Sequence, residues 1–309
     1  MSSSVAVVIL NWNGKEDTLN CLQSLEYQKG VEITTIVVDN GSTDDSASVF
    51  RGRYPTAVII ETGANLGYAA GNNVGLAHAL KQGFEYILVL NNDTILDSDC
   101  IAQLVAELQT TQNAAAVSPK MFYLDPPDMV YFAGGIVRSD GYTNHIGVDE
   151  PDDPEFREPC DTAWLTGCAI MFRSSALDEI GLFEPRFFLL YEDVDWSMRA
   201  IAKEHTLRIV PTAVLWHKVS ASFGTTWSPF YLYYYTRNTY LWIERNFPPH
   251  QWPKLYYRAT RRASYFAQRS TASATLELNE HDKWQKAVRQ GMLDYLLRRF
   301  GHRAYKWQE

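Results

Sequence analysis

Through the first 120 residues, short unbroken apolar runs alternate with stretches whose apolar residues recur at helical spacing. The runs fall at residues 5–10, 33–38, 57–61, 86–90 and 114–118, and the helical stretches at 16–26, 45–54, 68–82 and 98–109. A strand that is apolar without alternation is buried on both faces. Such strands alternating with amphipathic helices build a parallel sheet covered on both sides. Polar caps agree with this reading: Thr43 or Asp44 stands ahead of the second helical stretch and Ser98 ahead of the fourth. The expected class is α/β, with a mostly parallel central sheet flanked by helices.

Beyond residue 120 the texture changes. VYFAGGIVRSDGYTNHIG, starting at Val130, sets Gly-Gly and Asp-Gly between short strand-like runs and predicts a hairpin. DEPDDPEFREPCD follows as an acidic, proline-rich loop. WLTGCAIMFR predicts a strand over 164–173, and SSALDEIGLF a capped helix ending at Gly181. A helix over 191–205 and a strand over 206–217 complete this part. Past residue 225 the chain is aromatic, basic and helical in spacing, broken at Pro248-Pro249. There is no internal repeat or low-complexity segment. Two regions are expected: 1–229, carrying the sheet, and 230–309, a helical extension.

Composition adds three constraints. A chain of 309 residues that is 46% apolar can bury a large core. The net charge of −8 conceals an asymmetry: residues 230–309 hold 14 Lys/Arg against 6 Asp/Glu, and residues 1–229 hold 14 against 30. That basic tail reads either as a surface for phosphates or anionic lipid, or as solvated helix faces. The four cysteines show no C-x-x-C pairing and fit free thiols in a reducing compartment. The apolar run near the amino terminus is too short for a signal peptide or a membrane span, so a cytoplasmic location is expected.

Four segments could carry chemistry, and each also has a plain structural reading. YILVLNNDTIL (86–96) ends a buried strand on Asn91-Asn92-Asp93. These residues form either a turn, or a cation or phosphate site at the carboxyl end of a parallel strand. VVDNGSTDDS (37–46) places Asp39, Asn40, Gly41 and Ser42 between a strand and a helix start, where a carboxylate can accept from a base N–H or a ribose hydroxyl. The loop after the first strand has no G-x-G-x-x-G, and the chain has no P-loop. TGANLGYAAGNNVG (62–75) either admits a ligand close to its glycine backbone beside Asn65, Asn72 and Asn73, or packs a helix entry. FLLYEDVDWSMRA (188–200) holds Glu192, Asp193 and Asp195, as helix-start carboxylates or with one of them as a general base. His217 closes a strand, where an imidazole can bind a metal.

Taken in order, VVILNWNG, VVDNGSTD, NLGYAAGNN, LNND and YEDVDW followed by WH resemble the family 2 glycosyltransferases, over about residues 4 to 245. They are most similar to the rhamnosyltransferase-like branch, and YYYTRN (233–238) also resembles a segment seen after the catalytic domain there. The resemblance implies a GT-A fold, Rossmann-like, with its nucleotide-sugar-binding and catalytic domain in 1–229. It implies that Asp39 contacts the nucleobase, with Asn11, Gly41, Asn65, Gly67 and Asn73 around the donor. Asp93 would ligate a divalent cation, Mg2+ or Mn2+, on the diphosphate, with His217 as a further metal or diphosphate contact. Asn91 and Asn92 would shape the turn and bond the ribose or the cation's waters. Asp193 would be the catalytic base with Glu192 beside it, and Trp164, Thr166 and Gly167 would line the acceptor side.

One departure stands out: Asn91 and Asn92 occupy positions that the family motif often makes acidic, leaving Asp93 as the anion. Mg2+ takes few carboxylates when substrate phosphates and water complete its shell, so a cation remains expected. The implied reaction is inverting transfer of a sugar, rhamnose from dTDP-rhamnose or a hexose from a UDP-sugar, to a saccharide or lipid-linked acceptor. Like-charge repulsion from Glu192 would raise the proton affinity of Asp193. A nucleotidyltransferase and a non-catalytic nucleotide-sugar binding protein are the alternatives. The basic segments at 256–270 and 286–303 suggest peripheral contact with the inner face of the plasma membrane, a helical lid or a homodimer contact. No nucleic-acid partner is expected.

Overall fold

The computed structural model describes residues 4–219, 228–273 and 281–303; residues 1–3 of the amino-terminal run lie outside these, as do 274–280 and 304–309 of the C-terminal region. The first half is β1 (Ser4–Asn11), α1 (Lys15–Glu26), β2 (Glu32–Asp39), α2 (Ser46–Arg53), β3 (Val58–Glu61), α3 (Gly67–Gln82), β4 (Tyr86–Asn91), β5 (Thr94–Leu96), α4 (Cys100–Thr110) and β6 (Ala114–Tyr123). Then come β7 (Met129–Phe132), β8 (Gly135–Val137), β9 (Thr143–His145), β10 (Glu150–Pro151), β11 (Cys160–Asp161), β12 (Ala169–Arg173), α5 (Ser174–Ile180), α6 (Glu192–Ala202) and β13 (Thr206–His217). Three helices follow, α7 (Pro229–Asn246), α8 (Trp252–Ser273) and α9 (His281–Leu296).

The main sheet runs β10-β7-β6-β12-β4-β1-β2-β3. Strands β1 to β4 are mutually parallel, and β12 lies antiparallel between β4 and β6. The apolar runs of β1 and β4 are almost wholly enclosed, as their lack of alternation requires. Asn11 lies opposite Asp39, Leu10 opposite Asn91, and Asp39 opposite Glu61, so the polar residues that end β1, β2 and β4 share one sheet edge. Open α/β sheets form their ligand crevices at such carboxyl ends.

Several sequence expectations shift in detail. The strand expected over 164–173 begins only at Ala169, because the backbone of residues 164–168 turns away to meet α6. The hairpin is β8 with β9, turned at Asp140-Gly141. No side-chain cap forms at Ser98, since Asp99 takes the N-cap position, while Asp44 Oδ1 accepts from the Ser46 amide at the start of α2. Arg173, not a capping residue, precedes α5, which ends at Gly181 with φ +86°. β5 was not foreseen.

The C-terminal helices pack into the body. Every residue of α7 from Leu232 to Ile243 is buried, which identifies it as an interior helix. Its basic residues are accordingly not a solvated face: Arg237 is fully buried and Arg245 pairs with Asp195 and Glu184. Part of the basic excess of 230–309 is therefore neutralised inside the fold.

Candidate active site

The site begins with Asn11, which is fully buried. Its Nδ2 donates to Asp39 Oδ2 at 2.8 Å and to Ser42 Oγ at 3.1 Å, and its Oδ1 accepts from Thr18 Oγ1 at 2.9 Å. Asp39 also accepts from the Ser42 amide at 3.0 Å. Each of its oxygens thus has one bond and a remaining lone pair, a fixed acceptor for a base or ribose donor. Gly41, at φ +75°, makes the turn after β2; a Cβ there would stand 2.5 Å from the Ala64 backbone. Asn40 ties this turn to the next loop, donating to Asn65 Oδ1 at 3.2 Å, and Asn65 Oδ1 accepts from the Gly67 amide at 2.8 Å. Asn73 stands apart from the network, because both ends of its amide bond the Phe183 backbone, at 2.8 and 3.1 Å.

β4 and β5 are joined through Asn92-Asp93. Thr94 Oγ1 donates to the Asn91 carbonyl at 2.7 Å, and Asn92 Nδ2 to Thr18 Oγ1 at 2.9 Å. β5 pairs antiparallel with β13, with Thr94 opposite His217. That pairing brings His217 Nε2 to 3.1 Å from Asp93 Oδ1, with both side chains 8% exposed. Burial disfavours the imidazolium, but Cys168 and Asp93 overcome it and hold His217 up to about 10. One carboxylate and one imidazole could serve a cation that takes its other ligands from phosphate and water. No group of three His, Cys, Asp or Glu side chains suited to a metal converges among the described residues.

The adjacent acids at the start of α6 have different surroundings. Asp193 Oδ2 accepts from the Gly167 amide and Oδ1 from the Val194 amide, each at 2.8 Å. Glu192 is 5% exposed, and its Oε2 has no hydrogen-bond partner among the described residues. Burial, then repulsion from Asp193, pushes Glu192 well above the usual carboxylate range. Burial also raises Asp193, against the two amides that favour its anion. Both carboxyls are thus raised, as the sequence reading expected for Asp193; the geometry separates them, because two amides favour the anion on Asp193 and Glu192 Oε2 has no partner among the described residues.

The backbone at 164–168 forms the opposite wall. Trp164 Nε1 donates to the Ile136 carbonyl at 3.2 Å, and its ring meets Phe132 and His145. Thr166 is buried beside it. Gly167 leaves room for Tyr68, whose hydroxyl a Cβ would meet at 2.9 Å and which donates to the Gly167 carbonyl. Tyr68 escaped the sequence reading although it follows Gly67 directly. Its bond to Gly167, whose amide holds Asp193, places it beside the two acids, and burial with the charges of Glu192 and Asp193 raises its phenol. The structure thus joins Asn11, Asp39, Gly41, Asn65 and Gly67 in one network, Asp93 with His217 in a second, and Gly167 with Asp193 in a third.

A family model for glycosyl transferase family 2 matches residues 6–181. An N-acetylglucosaminyl-diphospho-decaprenol L-rhamnosyltransferase of Mycobacterium tuberculosis is 27% identical over 246 residues, covering 72% of this chain and 79% of that protein. The dTDP-rhamnosyl transferase RfbF of Shigella flexneri is 23% identical over 260 residues, 81% of this chain and 83% of that one. Among solved structures, the mannosyltransferase PcManGT of Pyrobaculum calidifontis, in complex with GDP-Man and Mn2+, matches with a TM-score of 0.60 at 17% identity, over 96% of this chain and 88% of that one. TarS of S. aureus in complex with UDP-GlcNAc matches with a TM-score of 0.61 at 16% identity, over 94% and 81%. The fold is that of the GT-A glycosyltransferases, and the chain belongs to glycosyl transferase family 2.

Proposed function

We propose that this glycosyltransferase moves rhamnose from dTDP-rhamnose, with inversion, to a hydroxyl of a surface glycan or lipid-linked saccharide of bacterial type. The observation that supports the reading is Asp193, a partly exposed carboxylate held by the Gly167 and Val194 amides. The acceptor oxygen bonds the anomeric carbon, its proton passes to Asp193, and the anomeric carbon–oxygen bond breaks with its electron pair leaving on the diphosphate. Asp39 accepts from the base, whose N–H a thymine or uracil supplies. Neutral Glu192 keeps a second negative charge away from the departing diphosphate.

Asp93 and His217 fit a divalent cation, Mg2+ or Mn2+, which when bound neutralises charge growing on the diphosphate. The relatives named for rhamnosyl transfer support the donor, and the Mn2+ bound by the mannosyltransferase supports the cation. Residues 1–229 act as the catalytic domain. Residues 230–309 complete it and rest against an anionic membrane face on the cytoplasmic side, where a lipid-linked acceptor is presented. Among the described residues no helix is long and apolar enough to cross a membrane. The test is a panel of sugar nucleotides, with and without Mn2+ and acceptor, read by release of nucleoside diphosphate. Acceptor-dependent release from dTDP-rhamnose supports the reading; release only from another donor redirects the sugar, and diphosphate release from a nucleoside triphosphate points to nucleotidyl transfer.

A further inference from the structure

Three of the five residues before the proposed base have a backbone that side chains avoid. Phe188, Leu190 and Tyr191 all have positive φ, at +66°, +70° and +76°, and none is glycine. Tyr191 immediately precedes α6, so this segment sets where Glu192 and Asp193 point. Nothing in its own sequence favours that shape, and its restraint comes from elsewhere.

The restraint is a pair of side chains on α7. Asn238 Nδ2 lies 2.8, 2.6 and 3.0 Å from the carbonyls of Phe187, Leu189 and Leu190. Arg237 Nη2 donates to the carbonyls of Phe187 at 2.8 Å and Arg186 at 3.2 Å. Arg237 Nε donates to Asn238 Oδ1 at 2.9 Å, which fixes the amide so that its NH2 faces the loop. The Phe188 carbonyl is taken by the Ala69 amide at 3.2 Å, on the donor side of the cleft. Every carbonyl from Phe187 to Leu190 therefore has a partner. Two turns along α7, Arg245 and Asn246 bond Asp195, at 2.7 and 3.0 Å, holding the first turn of α6 from the same helix. Arg237 and Asn238 are both fully buried.

We propose that Arg237 and Asn238 are positioning residues that impose the positive φ of Phe188, Leu190 and Tyr191 and so set the direction of the Asp193 carboxylate. This rests on Asp193 being the base. A helix outside the sheet thereby becomes part of the reaction geometry, and the Arg-Asn pair in YYYTRN has a definite task. A displacement of the base by about 1 Å costs on the order of 10²-fold in rate.

The test compares the full chain with Asn238→Asp, which keeps the shape but turns an acceptor toward three carbonyls. Arg237→Lys, which keeps the charge but loses the Nε bond, serves as the second variant should the first fail to fold. Expected are a fall in kcat of about 10²-fold with donor KM within about twofold, and faster amide exchange confined to residues 187–195. An unchanged kcat in a folded variant overturns the proposal, as does a loss tracking general unfolding or donor KM. If the wild-type chain transfers no sugar, the function proposed above fails, whereas exchange at 187–195 still reports whether the two side chains hold the loop.

Discussion

Asp93 and His217 are 124 residues apart in the chain, and the imidazole Nε2 lies 3.1 Å from the carboxylate Oδ1. With His217 raised from 6.5 to about 10, the imidazole keeps its proton at neutral pH. A group raised on folding contributes stability that is complete below its unfolded value and is lost as the pH climbs through its folded one. Asp93 is one of the two groups that raise His217, with Cys168, so Asp93→Asn is expected to destabilise the chain most below about pH 6.5, with the gap narrowing toward pH 10. Denaturant titrations across that range check it, and a gap independent of pH contradicts it. Because a ligating imidazole is neutral, Mn2+ binding with nucleoside diphosphate should also release a proton, measurable by calorimetry in two buffers.

Glu192 is expected to behave as a neutral acid. Its raised folded value means that its contribution is complete below about 4.5 and is lost as the pH rises through that folded value. Glu192→Gln mimics the neutral form. Its thermal midpoint should match the parent near pH 5, exceed it at about pH 8, and leave sugar transfer within about tenfold. Parallel pH profiles for the two chains would show Glu192 ionised in the fold.

Tyr68→Phe removes the hydroxyl that donates to the Gly167 carbonyl, while the Gly167 amide still holds Asp193. The expected cost is about 1–3 kcal/mol in stability and about tenfold in kcat, with a smaller change in donor KM. Steady-state kinetics decide: a loss confined to donor KM would place Tyr68 in donor binding alone.

On α8 and α9, Tyr257, Tyr265, Leu293 and Leu296 are exposed alongside exposed Lys254, Arg261, Lys286 and Arg289. The chain should co-sediment with anionic vesicles at low salt and release near 0.5 M salt, each basic residue contributing about 1 kcal/mol. Failure to sediment with anionic lipid at low salt removes the membrane role.

The sheet was legible because strands buried on both faces leave unbroken apolar runs, as β1 and β4 do. β5 was not, since three residues between turns leave no period to read. The network around Asp39 was legible in its members, Asn11, Asp39 and the glycine turns, but not in its bonding: Asn11 holds Asp39 through a side chain that local sequence cannot aim. What separates the two acids was not legible, because adjacency reveals repulsion but not which carboxylate receives the amides of Gly167 and Val194. Arg237 and Arg245 counted as surface charge because composition does not show that α7 is buried all round.

Asp193 as the base is tested most directly by acceptor-dependent release of nucleoside diphosphate from dTDP-rhamnose, comparing the wild-type chain with Asp193→Asn and measuring donor affinity in parallel. Release is expected to fall by about 10²–10⁴-fold with donor Kd within about twofold, since the amide keeps the fold but takes no proton. Turnover within about tenfold of wild type in a folded Asp193→Asn chain would contradict the assignment.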